Sequence, residues 1–129
     1  MTTAQEASLR GSRLPPARGR IEANAPLAAQ SWFRTGGAAE FLFRPLDEND
    51  LAGFLAALPD DIPVCVIGVA SNLLIRDGGI PGVTVKLGPQ FAQIRIDGTK
   101  ISAGAAALDI NVARTAAQAG IGGLEFMAG

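Results

Sequence analysis

Apolar and polar positions divide the chain into segments of different period. Leu51, Phe54, Leu55 and Leu58 fall at i, i+3, i+4 and i+7. That spacing predicts a helix over Asp47 to Leu58 with one apolar stripe. Asp47 is its expected N-cap, Glu48 and Asp50 put negative charge in the first turn, and Pro59 stops it. On either side the period changes. Ala39 to Arg44 alternates in part, is rich in aromatics and ends at Pro45, so it reads as a strand. Val64 to Ile67 is a short continuous apolar run, as expected of a strand buried on both faces. Strand, helix and strand with a short return form a βαβ unit, which predicts a parallel sheet and a right-handed crossover.

The remaining punctuation is local. Asn24-Ala25-Pro26-Leu27 reads as a turn entering a short helical stretch, with Pro26 at its first position. Gly36-Gly37 and Asp77-Gly78-Gly79 read as turns, and Leu73 to Ile75 and Val83 to Leu87 as strands. From about residue 88 an antiparallel pair is expected. Phe91 to Ile96 alternates, Asp97-Gly98 is a hairpin signal, and Ile101 to Ala103 returns. A second helix is expected from a capping Asp109 to Ala119, with Val112, Ala113, Ala116 and Ala117 on its packing face and Gly120 just past its end. The fold class is therefore α+β, with a basic leader over 1–20, a first subdomain over 21–87 and a second over 88–129.

Charge sharpens the first boundary. Arg10, Arg13, Arg18 and Arg20 against Glu6 give residues 1–20 a balance of +3; the whole chain carries −1, which leaves −4 for residues 21–129. The leader reads as a disordered segment ending at Pro15-Pro16, with an Arg-rich transit peptide as the alternative. An acidic body argues against a nucleic-acid partner. No apolar run approaches the roughly 18 residues of a membrane span, so no membrane partner is expected. The single cysteine, Cys65, excludes an internal disulfide framework, fits a cytoplasmic location and reads as a core residue. Histidine is absent, which removes histidine acid/base chemistry, triads and His-ligated metal. No metal is expected.

The candidate chemistry lies in Gly68-Val69-Ala70-Ser71-Asn72, which leaves the apolar run at Ile67. Small residues let backbone N–H groups converge on a phosphate, and Ser71 and Asn72 add a hydroxyl and an amide. Neither a P-loop lysine nor Gly-x-Gly-x-x-Gly is present, so spacing alone leaves a plain strand-to-strand turn as the competing reading. Trp32 and Phe33 read as core anchors and Arg76-Asp77 as part of a turn. Arg34 is open between a phosphate contact and a surface ion pair, and Glu125 is undecided. Ser102 has no base nearby in sequence and is not read as a nucleophile.

Three stretches in this order, NAPLAAQSWFRTGGAAEFLFRP (24–45), VIGVASNLLIRDGGIPGVTVKLG (66–88) and ISAGAAALDINVARTAAQAGIGGLEF (101–126), resemble the start of the UDP-N-acetylenolpyruvoylglucosamine reductase family. The resemblance covers about residues 24 to 129. It implies the FAD-binding fold of the vanillyl-alcohol oxidase type, in which FAD lies between a small α/β subdomain and a larger antiparallel one. It further implies that Gly68, Val69, Ala70, Ser71, Asn72 and Leu73 wrap the FAD pyrophosphate, and that Ala103, Gly104 and Ala105 lie near the flavin, where a missing side chain admits the cofactor. Gly122 to Phe126 would lead to a further flavin contact. NADPH is the implied reductant, UDP-N-acetylglucosamine enolpyruvate the implied substrate and UDP-N-acetylmuramate, for peptidoglycan synthesis, the implied product. The sequence departs from the family where Ala70 replaces a second loop glycine. The family's active-site arginine, serine and late glutamate have no counterpart here, so no catalytic residue is expected in this chain. A non-catalytic flavin- or nucleotide-binding fragment is the alternative, and an inert fragment a third.

Overall fold

The computed structural model describes residues 3–28, 36–68, 75 and 77–128. The elements are α1 (Thr3–Ser12), β1 (Arg20–Pro26), β2 (Ala38–Arg44), α2 (Glu48–Ala57), β3 (Val64–Ile67), β4 (Ile80–Lys86), β5 (Ile94–Asp97), β6 (Lys100–Ala103) and α3 (Asp109–Gln118). Short 3-10 turns occupy Pro89–Phe91 and Glu125–Ala128. The chain is α+β and divides into two compact units, Met1–Lys86 and Leu87–Gly129.

The first unit holds a mixed sheet of order β1-β2-β4-β3. β1 runs antiparallel to β2, whereas β2 and β3 both run parallel to β4. The parallel sheet expected from the βαβ unit is thus corrected to a mixed one, because Arg20 to Pro26 adds an antiparallel edge strand that takes in Pro26. An edge strand tolerates Pro26, whose missing N–H faces no partner, and asparagine tolerates the φ of +51° at Asn24. The helical stretch expected after Pro26 lies mostly outside the described residues. β2 and β3 are the parallel strands of the expected βαβ unit, but β4 inserts between them.

α2 forms as its signals predict. Asp47 caps it by accepting the Asp50 N–H at 2.8 Å. Its buried side packs Phe54 on Phe43 of β2, with ring centroids 4.3 Å apart. Leu58 is buried too, but Leu55 of the expected stripe is largely exposed. A separate buried cluster holds Ala25, Leu27, Ala39, Leu42, Ile67 and Ile75, with Cys65 packed half-buried against it. Val64 and Val66 are 43% and 56% exposed. β3 is therefore not buried on both faces, since it is the last strand of the sheet among the described residues, and an apolar run cannot distinguish an edge from a centre.

Between Ala39 and Phe41 the β2/β4 register slips. Gly82, at φ +74°, lies on the β4 side of this bulge and presses on Pro63, whose carbonyl a Cβ would meet at 2.2 Å. Its N–H donates to Glu40 Oε1 at 3.1 Å.

The leader is not disordered over its described residues. Thr3–Ser12 forms α1, fastened by side chains whose partners lie far along the sequence. Arg10 donates two bonds to Glu40, at 2.6 and 2.7 Å, and Arg13 donates two to Asp61, at 2.8 and 2.6 Å. The ring edge of Phe41 lies where Gly11 has no side chain. Sequence charge identified these arginines; only the fold supplies their carboxylates.

In the second unit, β5 and β6 form the expected hairpin, in register from Ile94↔Ala103 to Asp97↔Lys100. Gly98, at φ +61°, opens the two-residue loop, as primed hairpin turns require. Phe91 lies in a 3-10 turn before the strand instead of starting it. α3 buries Val112, Ala113 and Ala116, while Ala117 is exposed. Leu108, not Asp109, is its N-cap residue, and no side chain caps it. Asp109 is instead the first helical residue, where the dipole favours its charge. Gly120, at φ +74°, ends α3 as a Schellman motif, with Gly120 N–H on Ala117 and Ile121 N–H on Ala116.

Candidate functional site

Gly68 follows directly on β3, at the carboxyl end of the parallel strands β2, β4 and β3. In open α/β sheets this end receives ligands, because loops leaving the strands form a crevice there. The next residues of the expected pyrophosphate loop, Val69, Ala70, Ser71, Asn72 and Leu73, lie outside the described residues, as do Trp32, Phe33, Arg34 and Arg76.

Two basic residues close the strands on this side of the sheet. The Lys86 ammonium, at the end of β4, donates to the Gly68 carbonyl oxygen. Arg44 ends β2 and Lys86 ends β4, each one residue beyond the registered pair Phe43↔Val85. By alternation they share the face of Leu42 and Thr84, away from α2. Burial, and then the neighbouring Arg44 charge, hold the Lys86 pKa below the ordinary lysine value. Among the described residues neither Arg44 nor Lys86 pairs with a carboxylate. Segments 29–35 and 69–74 contain no aspartate or glutamate to supply one. On the same face the Thr84 hydroxyl is fully buried with no hydrogen-bond partner among the described residues. Sequence reasoning missed Lys86 and Arg44, because a lone basic residue closing a strand carries no motif.

The second candidate segment behaves differently. Ala103 closes β6 opposite Ile94, and Gly104 and Ala105 turn away from it. Ala103 and Ala105 are exposed. Gly104 donates its N–H to Gln93 at 2.8 Å, and a Cβ there would lie 1.9 Å from the Phe91 carbonyl oxygen. The missing side chain at Gly104 is thus already required by the chain's own backbone. Gly68 and Ala103–Ala105 belong to different units.

Other glycines of the recognised stretches have the same explanation. A Cβ on Gly37 would fall 2.2 Å from the Asp77 carbonyl, and one on Gly79 would fall 2.0 Å from that of Ala38. These residues let the turn at Asp77 lie against the start of β2. Glu125 accepts the Gly123 N–H at 2.9 Å.

A groove of about 820 Å³ opens elsewhere in the first unit, between α1 and the near ends of β1, β2 and β4, lined by Arg10, Glu40, Phe41 and Ile80 among others. Its charged groups satisfy each other: Glu40, with its side chain 11% exposed, takes both Arg10 bonds and the Gly82 N–H. The Arg10 guanidinium first, with help from Gly82, holds the Glu40 carboxyl below its usual range despite burial. It lies at the amino ends of β2 and β4, so size alone does not make it the ligand site. Among the described residues, no group of three or more His, Cys, Asp or Glu side chains could hold a metal, and no helix is long and apolar enough to cross a membrane.

Comparison with known proteins decides the family. The chain is 54% identical over 129 residues to the UDP-N-acetylenolpyruvoylglucosamine reductase of Parvibaculum lavamentivorans, a match covering 100% of this chain and 42% of the relative. The chain belongs to the UDP-N-acetylenolpyruvoylglucosamine reductase family. The reductase so named from Nitrobacter winogradskyi is 58% identical over 119 residues, 92% of this chain and 39% of its own. That from Azorhizobium caulinodans is 56% identical over 116 residues, 90% of this chain and 38% of its own. The chain thus spans about two fifths of the length of these relatives. No family model matches it.

Proposed function

We propose that this chain forms part of the FAD site of a UDP-N-acetylenolpyruvoylglucosamine reductase. The whole enzyme would use NADPH to reduce UDP-N-acetylglucosamine enolpyruvate to UDP-N-acetylmuramate, in the cytoplasm, for peptidoglycan synthesis. The observation that carries the reading is identity of more than half the residues along the entire chain to a reductase of that name. The fold would be of the vanillyl-alcohol oxidase type, with the antiparallel pair β5-β6 beginning its second subdomain.

Bound FAD would supply the hydride chemistry, and the protein binding and orientation. Residues 68–73 would wrap the pyrophosphate. The setting of Gly68 suits this, since an anion there would meet a cationic strand end. Ala103 and Ala105 would approach the flavin with small exposed side chains, and Gly104 would hold that turn against Phe91. No described side chain is assigned a proton transfer, so catalysis would rest on residues that the relatives carry beyond the matched two fifths.

The test is to purify the 129-residue chain, titrate FAD by flavin fluorescence, and follow NADPH consumption with UDP-N-acetylglucosamine enolpyruvate. Saturable binding without turnover is expected. NADPH-dependent turnover by this chain alone would contradict the assignment of catalysis elsewhere, and a folded sample that binds no FAD would contradict the cofactor site.

A further inference from the structure

We propose that Arg44 and Lys86 form a diphosphate-binding pair that contacts the pyrophosphate of FAD, beside the backbone loop that begins at Gly68. The inference rests on the flavin reading above and adds side chains that the loop motif does not contain.

Three observations converge on it. First, the placement: the two residues end adjacent parallel strands, on one face, at the end of the sheet where Gly68 begins its loop. Secondly, the charge is uncompensated among the described residues. Three of the four arginines of the leader segment, Arg10, Arg13 and Arg18, each hold a carboxylate, namely Glu40, Asp61 and Asp47. Arg44 and Lys86 hold none among the described residues, although the chain is acidic overall. Two like charges on neighbouring strand ends repel, and a half-buried lysine beside an arginine is held at a cost unless an anion joins them. Thirdly, the available donors match a diphosphate. Lys86 has three N–H bonds and places one on Gly68, while the guanidinium of Arg44 offers a planar fork suited to phosphate oxygens. Such charge-assisted bonds are short and strong where water is partly excluded.

The pair would add full charges to the partial charges that backbone N–H groups offer a doubly charged group. The backbone supplies partial charges and geometry; Arg44 and Lys86 supply the two full charges.

Arg44→Gln and Lys86→Met are titrated with FAD and, separately, with riboflavin, which has no phosphate, over a range of salt concentrations. Far-UV circular dichroism and thermal melting check that both variants fold. Each substitution is expected to weaken FAD by about tenfold or more, the loss of one charged hydrogen bond. Riboflavin binding should not change, and the salt dependence of FAD binding should flatten. Lys86→Arg should restore most of the affinity. Arg44→Gln leaves the Lys86–Gly68 contact in place, so its effect cannot come from a disturbed loop base. Absence of FAD binding to the unsubstituted chain sinks the flavin reading and this inference together. FAD binding that survives both substitutions in folded protein overturns this inference alone.

Discussion

Lys86, at the carboxyl end of β4, donates its ammonium to the carbonyl oxygen of Gly68, one residue past the end of β3. The bond ties the start of the candidate loop to the neighbouring strand. It also leaves a cation where burial, and secondarily Arg44, lower its pKa. A lysine depressed in the folded state binds fewer protons than in the unfolded chain, so stability should rise with pH from the folded pKa up to the ordinary lysine value. An anion bound beside it should reverse the shift. NMR titration of the Lys86 side chain should give a pKa below the ordinary lysine value in the free chain, and a higher one with FAD present.

Asp50 should be the most sensitive carboxylate in the first unit. It is buried, and it accepts backbone N–H groups from Arg18, Gly19 and Leu46 at 2.8, 2.8 and 2.9 Å. Burial alone would raise its pKa; the donors from Leu46, Arg18 and Gly19 outweigh it, and the net shift is downward. Asp50→Ala leaves those donors unsatisfied and should cost roughly 2–4 kcal/mol by urea unfolding. Asp50→Asn, which retains one acceptor oxygen, should cost less.

Acid should loosen α1 before it unfolds the sheet. Glu40 and Asp61 have folded pKa values lowered chiefly by their bonds to Arg10 and Arg13. A depressed carboxyl contributes stability above its unfolded pKa and loses it as pH falls through the folded value. The loss should therefore begin near pH 4 and grow below it. A ten-residue helix has little stability of its own once released. Hydrogen exchange followed downward from pH 6, after correction for the intrinsic pH dependence, should show protection lost across Thr3–Ser12 while β2 and β4 retain theirs.

Gly104→Ala should destabilise the second unit whether or not flavin is present. Its Cβ would collide with the Phe91 carbonyl oxygen, and backbone cannot move aside as cheaply as a side chain. Thermal melting of the cofactor-free variant should show a drop of several degrees, whereas a residue small only to admit flavin would melt unchanged.

Much of this architecture was legible in local signals. The cap at Asp47, the hairpin at Gly98 and the stop at Gly120 depend on neighbours a few residues away. What escaped depends on distant partners. Nothing local to Arg10 or Arg13 announces Glu40 or Asp61, thirty and forty-eight residues on. An apolar run such as Val64 to Ile67 has the same pattern at a sheet edge as at its centre, and a proline such as Pro26 suits an edge strand as well as a helix start. At the candidate site, Gly68 was readable as a small residue after a strand. The charges of Arg44 and Lys86 became meaningful only when the sheet set their strand ends side by side.

The central claim, that the carboxyl end of this sheet binds the pyrophosphate of FAD, is tested most directly by equilibrium dialysis of the folded 129-residue chain against FAD, with unlabelled inorganic pyrophosphate and riboflavin as competitors. The account predicts saturable FAD binding that pyrophosphate displaces. Failure of pyrophosphate to displace FAD, with riboflavin displacing it fully, would contradict the account, because the affinity would then reside in the flavin ring alone.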